Sequence, residues 1–279
     1  MESHDLRIFK HVAELQSISK AAEKLDYVQS NISQRIKSLE DELGVQLFTR
    51  NNRGVTLTGE GKELLGYANQ ILLLLDEARS SVNPAKWKES LTIGAPQTIS
   101  AVRIPQLFSS FLINHPLDLK LKTNTSQRLQ EMLSYGELDG IFVNAPYDHL
   151  LLESVYTYYE NVGVIFSKIN PLKKSLNQTI IINSDPSCIY RSILLDLIKQ
   201  RNMQNPVIME FDSLESIVQA VVDGLGISVI PADIIHSRKE FHSIEYEELP
   251  DTIRIDFVIK KRKKQAQALR KFIDFLVKS

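Results

Sequence analysis

The stretch AAEKLDYVQSNISQRIKSLE (residues 21–40) places two helical patterns on either side of a short break. In the second pattern, apolar side chains recur at Ile32, Ile36 and Leu39, which is the spacing of one buried helix face. The opposite face is rich in amides and hydroxyls. A helix of a protein core needs the apolar face, but it does not need that particular polar face.

Residues before this stretch predict two further helices. Leu6, Phe9 and Val12 recur at helical spacing and indicate a first helix. Ser19 is positioned to cap a second, short helix through its side-chain oxygen. Asp26 then marks a turn. Two helices separated by a tight turn are typical of a helix-turn-helix module.

Residues after this stretch predict a small wing. Gly44 is a natural stop for the helix that precedes it. Between residues 45 and 57, short apolar pieces flank the basic sequence RNNRG, which predicts two short strands joined by a turn. Arg50 and Arg53 would lie on this wing, where they could contact the phosphate backbone of DNA.

The polar face of the helix over residues 29–43 is suited to DNA. A rotation of about 100° per residue places Ser30, Gln34 and Lys37 opposite the apolar face. Amides read adenine through two hydrogen bonds and hydroxyls are permissive partners, whereas Arg35 and Lys37 suit phosphate. The flanking polar side chains are Asn31, Ser33 and Ser38. A solvated face of ordinary polar residues is the alternative, which the preceding helix, the turn and the basic wing make weaker.

A long amphipathic helix is predicted next. Thr58 is a good N-cap, and an apolar seam continues to about residue 82, shortly before Pro84. Because this helix joins the first module to the rest of the chain, we expect its seam to meet a second copy of itself. Packing against its own domain is the alternative.

The remainder of the chain alternates strand and helix patterns, which favours a mainly parallel sheet. The pattern repeats after about residue 160, so we expect two α/β lobes. Strands are expected at 91–94, 117–122, 141–143, 162–166, 179–182, 207–211 and 227–230. Helices are expected at 102–112, 126–133, 188–201 and 214–222.

Composition and charge restrict the classes of protein to which this chain can belong. The chain of 279 residues is 43% hydrophobic and 24% charged, as in ordinary soluble globular proteins. Its net charge of −1 argues against a generally basic nucleic-acid coat, so any anion-binding surface must be local. Cys188 is the only cysteine, which excludes an internal disulfide and fits a reducing compartment. The sequence shows no apolar signal core and no membrane-spanning run, so a cytoplasmic location without a membrane partner is expected.

The chain resembles the LysR-type transcriptional regulators over essentially its whole length. The resemblance rests on LRIFKHVAELQSISKAAEKL (6–25), QSNISQRIKSLEDELGVQLFTRNNRGVTLTGEG (29–61), GELDG, NPL and VDGLGISVIP. The residues in register at the N-terminal end are Ser19, Ala21, Ala22, Gln29, Ser33, Leu39, Glu40, Leu43, Gly44, Leu47, Phe48, Arg50, Leu57, Thr58 and Gly61. One departure is Ser30, where the family most often has proline. This residue is expected to loosen the start of the recognition helix slightly and to bear on base preference.

The resemblance implies an α+β multidomain regulator, of bacterial type, that is not an enzyme. It implies a winged helix-turn-helix DNA-binding domain at 1–58, a linker and dimerisation helix at 59–88, and a two-lobed effector domain at 89–279 like periplasmic solute-binding proteins. Lobe I would comprise about 89–160 and 265–279, and lobe II about 161–264. The implied partners are double-stranded promoter DNA, RNA polymerase, further copies in a homodimer or homotetramer, and a small metabolite. Ser19 and Gln29 join the predicted DNA contacts, and no cofactor is expected.

Three loops are predicted to line the effector cleft. Ligands of parallel α/β sheets bind at the carboxyl ends of strands, next to helix N-termini. Hydroxyls and free helix amides favour an anionic co-inducer, such as a carboxylate, with Arg191 as the candidate countercharge. A salt bridge is the alternative role for Arg191, and a plain half-buried position is the alternative for Cys188. The predicted effector contacts are Gln97, Thr98, Ser100, Thr125, Ser126, Ser184, Ser187, Cys188, Tyr190 and Arg191.

Two other classes of function compete with this interpretation. A hydrolase or transferase would need a nucleophile elbow, a P-loop or a carboxylate pair, and none is evident in the sequence. A transport-type solute receptor is opposed by the N-terminal DNA module. The basic run IKKRKK (259–264) ends a strand-like run, so it is interpreted as a solvated end of lobe II rather than a DNA-binding patch.

Overall fold

The structure is a computed structural model. It describes residues 1–51, 54–83, 89–101, 103–144, 146–168, 179–201, 203, 205–237, 243–261 and 265–278. The chain forms two compact units. One comprises Met1–Ser90 with Met132–Leu138, and the other comprises Leu91–Glu131 with Asp139–Ser279.

The first unit contains the predicted winged helix-turn-helix. Its elements are α1 (Ser3–Leu15), α2 (Ile18–Lys24), α3 (Gln29–Leu43), β1 (Phe48–Asn51), β2 (Gly54–Leu57) and α4 (Gly59–Val82). Strands β1 and β2 pair antiparallel, as expected for a wing. Ile32, Ile36 and Leu39 are buried among the apolar side chains of α1 and α2. The apolar face predicted for α3 is therefore its core face.

The caps of these helices explain their bounds and correct one prediction. The oxygen that caps α2 belongs to Ser17, which accepts a hydrogen bond from the Lys20 amide over 3.3 Å. Ser19 lies inside α2 and is exposed, so its predicted capping role is wrong. Gly44 ends α3 at a φ of +69°, a left-handed conformation that glycine adopts without a steric cost.

Glu40 ties α3 to the wing. Its Oε1 atom accepts hydrogen bonds from the amides of Leu47 and Phe48, over 2.8 and 3.2 Å. These two amides begin the wing and have no partner inside a helix. The contact fixes where the wing leaves the end of α3.

Part of the α4 seam packs on its own module. Thr58 caps the helix as predicted, because its Oγ1 accepts from the Gly61 amide over 3.0 Å. Leu65, Ala68 and Leu72 are buried in the same core as α1. For these three the expected contact with a second copy is wrong, because α1 already covers them. The apolar side chains of α4 that stay exposed are Tyr67, Ile71, Leu74 and Val82. Pro84 lies outside the described residues.

The second unit is an α/β domain with the remaining elements, except that Ser90 and residues 132–134, at the ends of two of them, belong to the first unit. In chain order these are β3 (Ser90–Ala95), α5 (Gln97–Ser100), α6 (Arg103–Asn114), β4 (Asp118–Thr123), α7 (Ser126–Ser134), β5 (Gly140–Val143), β6 (Leu152–Ser167), β7 (Ile180–Asn183), α8 (Ile189–Gln200), β8 (Ile208–Phe211), α9 (Leu214–Val222), β9 (Ser228–Pro231), α10 (Ala232–Ser237), β10 (Ile244–Lys260) and α11 (Gln267–Lys278).

The sheet of this unit is mixed, so the expectation of a mainly parallel sheet is wrong. The six-stranded sheet has the order β4-β3-β5-β10-β6-β9. Strand β10 runs antiparallel to β5 and β6, and β6 runs antiparallel to β9, whereas β3 and β5 are parallel. The physical cause is the long pair formed by β6 and β10, of 16 and 17 residues. The sequence predicted only the last part of β6, and of β10 only a strand-like run that ends at the basic segment 259–264.

The long strands β6 and β10 connect two groups of elements. Lobe I contains β3, β4, β5, α6 and α11, and lobe II contains β7, β8, β9, α8 and α9. The boundary expected near residue 160 falls inside β6 rather than in a loop. Helix α11 returns to lobe I, where the Phe272 ring lies 5.1 Å from the Phe111 ring and 5.5 Å from the Phe257 ring. In lobe II, β7 and β8 pair in parallel.

Candidate DNA-binding face and effector cleft

The polar face of α3 is open to solvent. Ser30, Gln34 and Lys37 are all exposed on the side opposite the buried face. Ser38 is exposed beside them, and Asn31 and Ser33 are half-buried. The structure therefore places together the α3 side chains that the sequence predicted to face DNA.

Two predicted α3 contacts already have partners within the module. Arg35 donates from Nη1 to Oδ1 of Asp5 over 2.8 Å, which joins α3 to α1. Gln29 donates from Nε2 to the Ser33 hydroxyl over 3.1 Å. Arg35 was expected to be suited to phosphate, and the sequence pattern did not reveal its ion pair because Asp5 is distant in the chain.

The remaining predicted DNA contacts lie on α2 and the wing. Ser19 and Arg50 are exposed. Arg53 lies outside the described residues. The structure adds Val28, the N-cap residue of α3, which is 70% exposed although it is apolar. An exposed apolar side chain at the start of a recognition helix is suited to contact the methyl group of thymine.

A cavity of about 360 Å³ lies in the second unit, where loops of both lobes meet. The loops follow β3, β4, β5, β7 and β8, at the ends where the strand-end rule places ligands. The lining residues are Pro96, Gln97, Thr98, Thr123, Asn124, Thr125, Ser126, Asn144, Asn183, Asp185, Ser187, Cys188, Ile189, Tyr190 and Asp212. We call this cavity the effector cleft.

The structure brings most of the predicted effector contacts together and separates three of them. The predicted residues that line the cleft are Gln97, Thr98, Thr125, Ser126, Ser187, Cys188 and Tyr190. Ser100 does not line it, because its hydroxyl is buried and donates to the Gln97 carbonyl over 2.8 Å. Ser184 is exposed outside the cleft.

Arg191 is the third predicted contact outside the cleft lining. Its Nη1 donates to the Asn183 carbonyl and to Oε1 of Glu210, each over 2.8 Å. The salt-bridge alternative is therefore the observed arrangement, and the predicted countercharge is engaged elsewhere. The register of strands β7 and β8 explains why Arg191 meets Glu210. Glu210 pairs with Ile182 across the two strands and so faces the start of α8.

The charged side chains that line the effector cleft are acidic. Asp185 and Asp212 line it, and the described lining residues include no lysine or arginine. Oδ1 of Asp185 accepts from the amide and the hydroxyl of Ser187, over 2.9 and 2.8 Å. Asp212 follows β8, and its carboxylate has no hydrogen bond or ion pair to the described residues. The two aspartates and Asn144 were not among the predicted contacts, although the strand-end rule applies equally to all three.

A buried carboxyl group lies behind the cleft wall. Tyr190 donates its hydroxyl hydrogen to Oε2 of Glu160 over 2.6 Å. Burial raises the pKa of Glu160 to about 7; the Tyr190 hydrogen bond and the charge of Arg103 lower it, and the charge of Asp233 raises it further. The Arg103 guanidinium carbon also lies 3.9 Å from the centre of the Tyr158 ring. No local sequence pattern marks Glu160, because it occupies an ordinary strand position.

Cys188 has the environment of a structural residue. Burial raises the pKa of its thiol, which keeps the group protonated near neutral pH. Reactive cysteines have a lowered thiol pKa instead. Within the described part of the chain, no three His, Cys, Asp or Glu side chains are grouped as metal ligands. In that same part, no helix is long and apolar enough to cross a bilayer.

Comparison with known proteins identifies the family. Residues 3–62 match the bacterial regulatory helix-turn-helix protein model of the lysR family, and residues 85–279 match the LysR substrate binding domain. The chain belongs to the LysR family. An HTH-type transcriptional regulator of Bacillus subtilis (strain 168), YusT, is 40% identical over 281 residues, which cover 98% of this chain and 95% of YusT. This LysR-family chain is thus a DNA-binding transcriptional regulator with an effector-binding domain, and not an enzyme.

Solved structures of full-length regulators share the fold of this LysR-family chain. A full-length OxyR variant from Pseudomonas aeruginosa has a TM-score of 0.73 at 24% identity, covering 99% of this chain and 94% of that one. Full-length CbnR in complex with its target DNA has a TM-score of 0.68 at 21% identity, covering 100% and 99%. The predicted combination of winged helix-turn-helix, long helix and α/β effector domain is confirmed.

Proposed function

We propose that this LysR-family regulator binds paired half-sites in promoter DNA and responds to a small co-inducer held in the effector cleft. The observation that carries the proposal is the solvent-exposed polar face of α3 within a winged helix-turn-helix. The functional modules are the DNA-binding domain at 1–58, the linker helix at 59–88 and the effector domain at 89–279. The protein acts in the cytoplasm and needs no prosthetic group.

Base reading is assigned to α3 and backbone contact to the wing. Gln34 and Ser30 reach base edges, because an amide pairs with adenine and a hydroxyl accepts several bases. Lys37, Arg50 and Arg53 neutralise phosphates, so affinity falls steeply with salt. The other predicted contacts position α3 in the groove: Ser19, Gln29, Asn31, Ser33 and Arg35. For Arg35, a phosphate contact would compete with its ion pair to Asp5.

Self-association is assigned to the exposed part of the α4 seam. Tyr67, Leu74 and Val82 are 58, 64 and 87% exposed, although apolar side chains of this size are usually buried. A second copy of the helix would cover them and would present two α3 helices to one DNA duplex. Two such dimers would form the tetramer. Paired α3 helices require paired half-sites in the DNA.

The co-inducer is assigned an anionic group that binds at lobe I. The hydroxyls of Thr98, Thr125 and Ser126 line the cleft there, and α7 begins at Ser126. Hydroxyl donors and the positive end of a helix dipole favour an anion. Gln97, Ser187, Cys188 and Tyr190 complete the proposed contacts. Arg191 and Ser184 have no direct part in this scheme, and Ser100 acts only by positioning Gln97.

Regulation is a shift between two states of the tetramer. A ligand changes their populations only if it binds one state better than the other. Binding that draws the lobes together would change the spacing between DNA-binding pairs, relax the DNA bend and expose the promoter to RNA polymerase. Circular-permutation gel shifts measure that bend. An identical bend angle and footprint length with saturating ligand would exclude this mechanism.

Selection of genomic fragments tests the function itself. Fragmented DNA from the encoding organism is passed over the purified full chain at a salt concentration near physiological, and the bound fragments are sequenced. We expect a few strongly enriched fragments that share a two-fold symmetric motif. Even recovery across the genome would show that α3 does not read bases, and would refute the proposed function.

A further inference from the structure

We propose that the co-inducer carries a protonated amine in addition to its anionic group, which makes it a small zwitterion of the amino-acid class. The inference deepens the proposed function and rests on it. It assigns the amine to Asp185 and Asp212 of lobe II and the anionic group to the hydroxyls of lobe I. The ligand would therefore connect loops of the two lobes.

The charge balance of the effector cleft is the first argument. Two carboxylates line it, and the described lining offers no lysine or arginine to offset them. A dicarboxylate or other purely anionic ligand would meet like charges, which disfavour binding. A protonated amine beside Asp212 would instead form a charge-assisted hydrogen bond, which is stronger than a neutral one.

Two arginines that lie close to cleft residues in sequence have other partners. Arg191 is bound to Glu210 and to the Asn183 carbonyl. Arg128, in the first turn of α7, donates to Glu131 over 2.9 Å. A ligand anion therefore gains no side-chain cation from either, and the acidic character of the cleft persists when both ion pairs are intact.

Ser126 is the second argument, because it points to a ligand at lobe I. The residue is only 5% exposed, and it lines the cleft. Its hydroxyl has no hydrogen-bond partner among the residues that the structure describes. A ligand carboxylate in the cleft would supply an acceptor for this hydroxyl. Thr98 lines the same cleft.

The size and remaining polarity of the cleft restrict the ligand further. A cavity of about 360 Å³ lies at the small end of ligand pockets, which range over roughly 300–1,000 Å³. Asn124, Asn144 and Asn183 add amide groups that both donate and accept. These features suit a compact polar molecule, and they disfavour a large apolar ligand.

Matched probes test the assignment of the amine. The full chain is titrated by calorimetry with each of the twenty L-amino acids, 4-aminobutanoate and 5-aminopentanoate. Every probe that binds is compared with the amine that lacks its carboxylate and the acid that lacks its amine. We expect at least one amino acid to bind, and both truncated analogues to bind at least about tenfold more weakly.

Matched variants test the assigned residues. Asp212→Asn should weaken the amino acid at least about tenfold and leave the amine-free acid unchanged or tighter, because the acid no longer meets a negative charge. Asp185→Asn should act in the same direction, since an asparagine still accepts from Ser187. The control is Asp196→Asn on α8, which removes an equal charge from an exposed residue paired with Lys199. It should leave both affinities unchanged.

Three results would overturn the inference. They are an amine-free acid that binds as tightly as its matched amino acid, an unchanged amino-acid affinity in Asp212→Asn, and no binding by any probe. Fragment selection without ligand separates this failure from that of the proposed function. Specific DNA recovery together with any of the three results refutes only the zwitterion, whereas even recovery refutes the regulator.

Discussion

Tyr190 on the wall of the effector cleft donates its hydroxyl hydrogen to the buried carboxylate of Glu160, with 2.6 Å between the oxygens. Glu160 lies in β6, the long strand that both lobes share, and pairs with Ile253 of β10. The contact therefore connects a cleft residue of lobe II with the strands on which the lobes are joined. It also places a titratable group where its charge affects the stability of the domain.

The raised pKa of Glu160 predicts a specific dependence of stability on pH. The folded chain holds this proton up to about pH 7, whereas the unfolded chain releases it near the ordinary value of 4.5. The contribution of Glu160 to the free energy of unfolding is therefore largest below about pH 4.5, and it falls by about 3 kcal/mol as the pH rises to about 7. Glu160→Gln should remove this slope and be more stable than wild type at pH 8. Urea unfolding between pH 5 and 8 measures both, and parallel curves would contradict the prediction.

Tyr190→Phe should shift the same pH window. The Tyr190 hydrogen bond stabilises the charged carboxylate and lowers its pKa, so its loss raises the pKa and moves the slope to higher pH. The change in urea midpoint between pH 7 and pH 8.5 should be larger in Tyr190→Phe than in wild type. An unchanged pH profile would show that this hydrogen bond does not tune Glu160.

Gln34→Ala and Arg50→Ala should separate base reading from backbone contact. Gln34→Ala should weaken the selected site by about 1–3 kcal/mol and leave random DNA unchanged, because it removes a base contact. Arg50→Ala should weaken both DNAs alike and lower the slope of log affinity against log salt by about 1. Fluorescence anisotropy on the two DNAs measures this. Equal losses on both DNAs for both variants would contradict the assigned roles.

Ser17→Ala and Ser19→Ala should affect different properties. Ser17 caps α2, so its loss should lower the free energy of unfolding by about 1 kcal/mol. Ser19 is exposed inside the helix, where alanine is at least as favourable, so Ser19→Ala should keep stability and weaken DNA binding. Urea unfolding and anisotropy distinguish the two. A larger stability loss in Ser19→Ala would restore the capping role that the sequence suggested.

Two glycines of α4 provide a matched pair for the wing contact. A Cβ atom on Gly61 would lie 2.2 Å from the Leu47 carbonyl oxygen, so Gly61→Ala should destabilise the module by about 1–3 kcal/mol. A Cβ atom on Gly66 meets nothing within 4 Å, so Gly66→Ala should stabilise the helix by up to about 1 kcal/mol. Thermal unfolding measures both changes. Equal midpoints would show that α4 does not approach the wing as closely as described.

The sequence predicted the local features of the fold well because short patterns encode them. Helix α3 has the predicted bounds, since its apolar stripe and Gly44 act within the helix itself. The full length of β10 was missed because Pro250 and several glutamates interrupt its apolar pattern, and its pairing was missed because β6 is distant in the chain. Because β10 forms antiparallel pairs with β5 and β6, the mixed character of the sheet was not predicted either.

The effector cleft likewise combines residues that the sequence predicted with contacts that it did not. The hydroxyl residues Thr98, Thr125 and Ser126 were found because they follow predicted strands. The partner of Arg191 was not, because Glu210 faces it only through the register of β7 and β8. Arg191, which the sequence predicted as a countercharge for the ligand, instead forms an ion pair with Glu210. The acidic character of the cleft emerged only when the lining residues were seen together.

The most direct test of the central claim is a hydroxyl-radical footprint of the full chain on the most enriched genomic fragment. We predict two protected half-sites related by a dyad, on one face of the duplex and separated by about 10 base pairs or a multiple of that. Gln34→Ala should lose protection at the half-sites at a concentration where wild type retains it. Protection spread evenly along the fragment, equal for wild type and Gln34→Ala, would contradict sequence-specific binding by paired α3 helices.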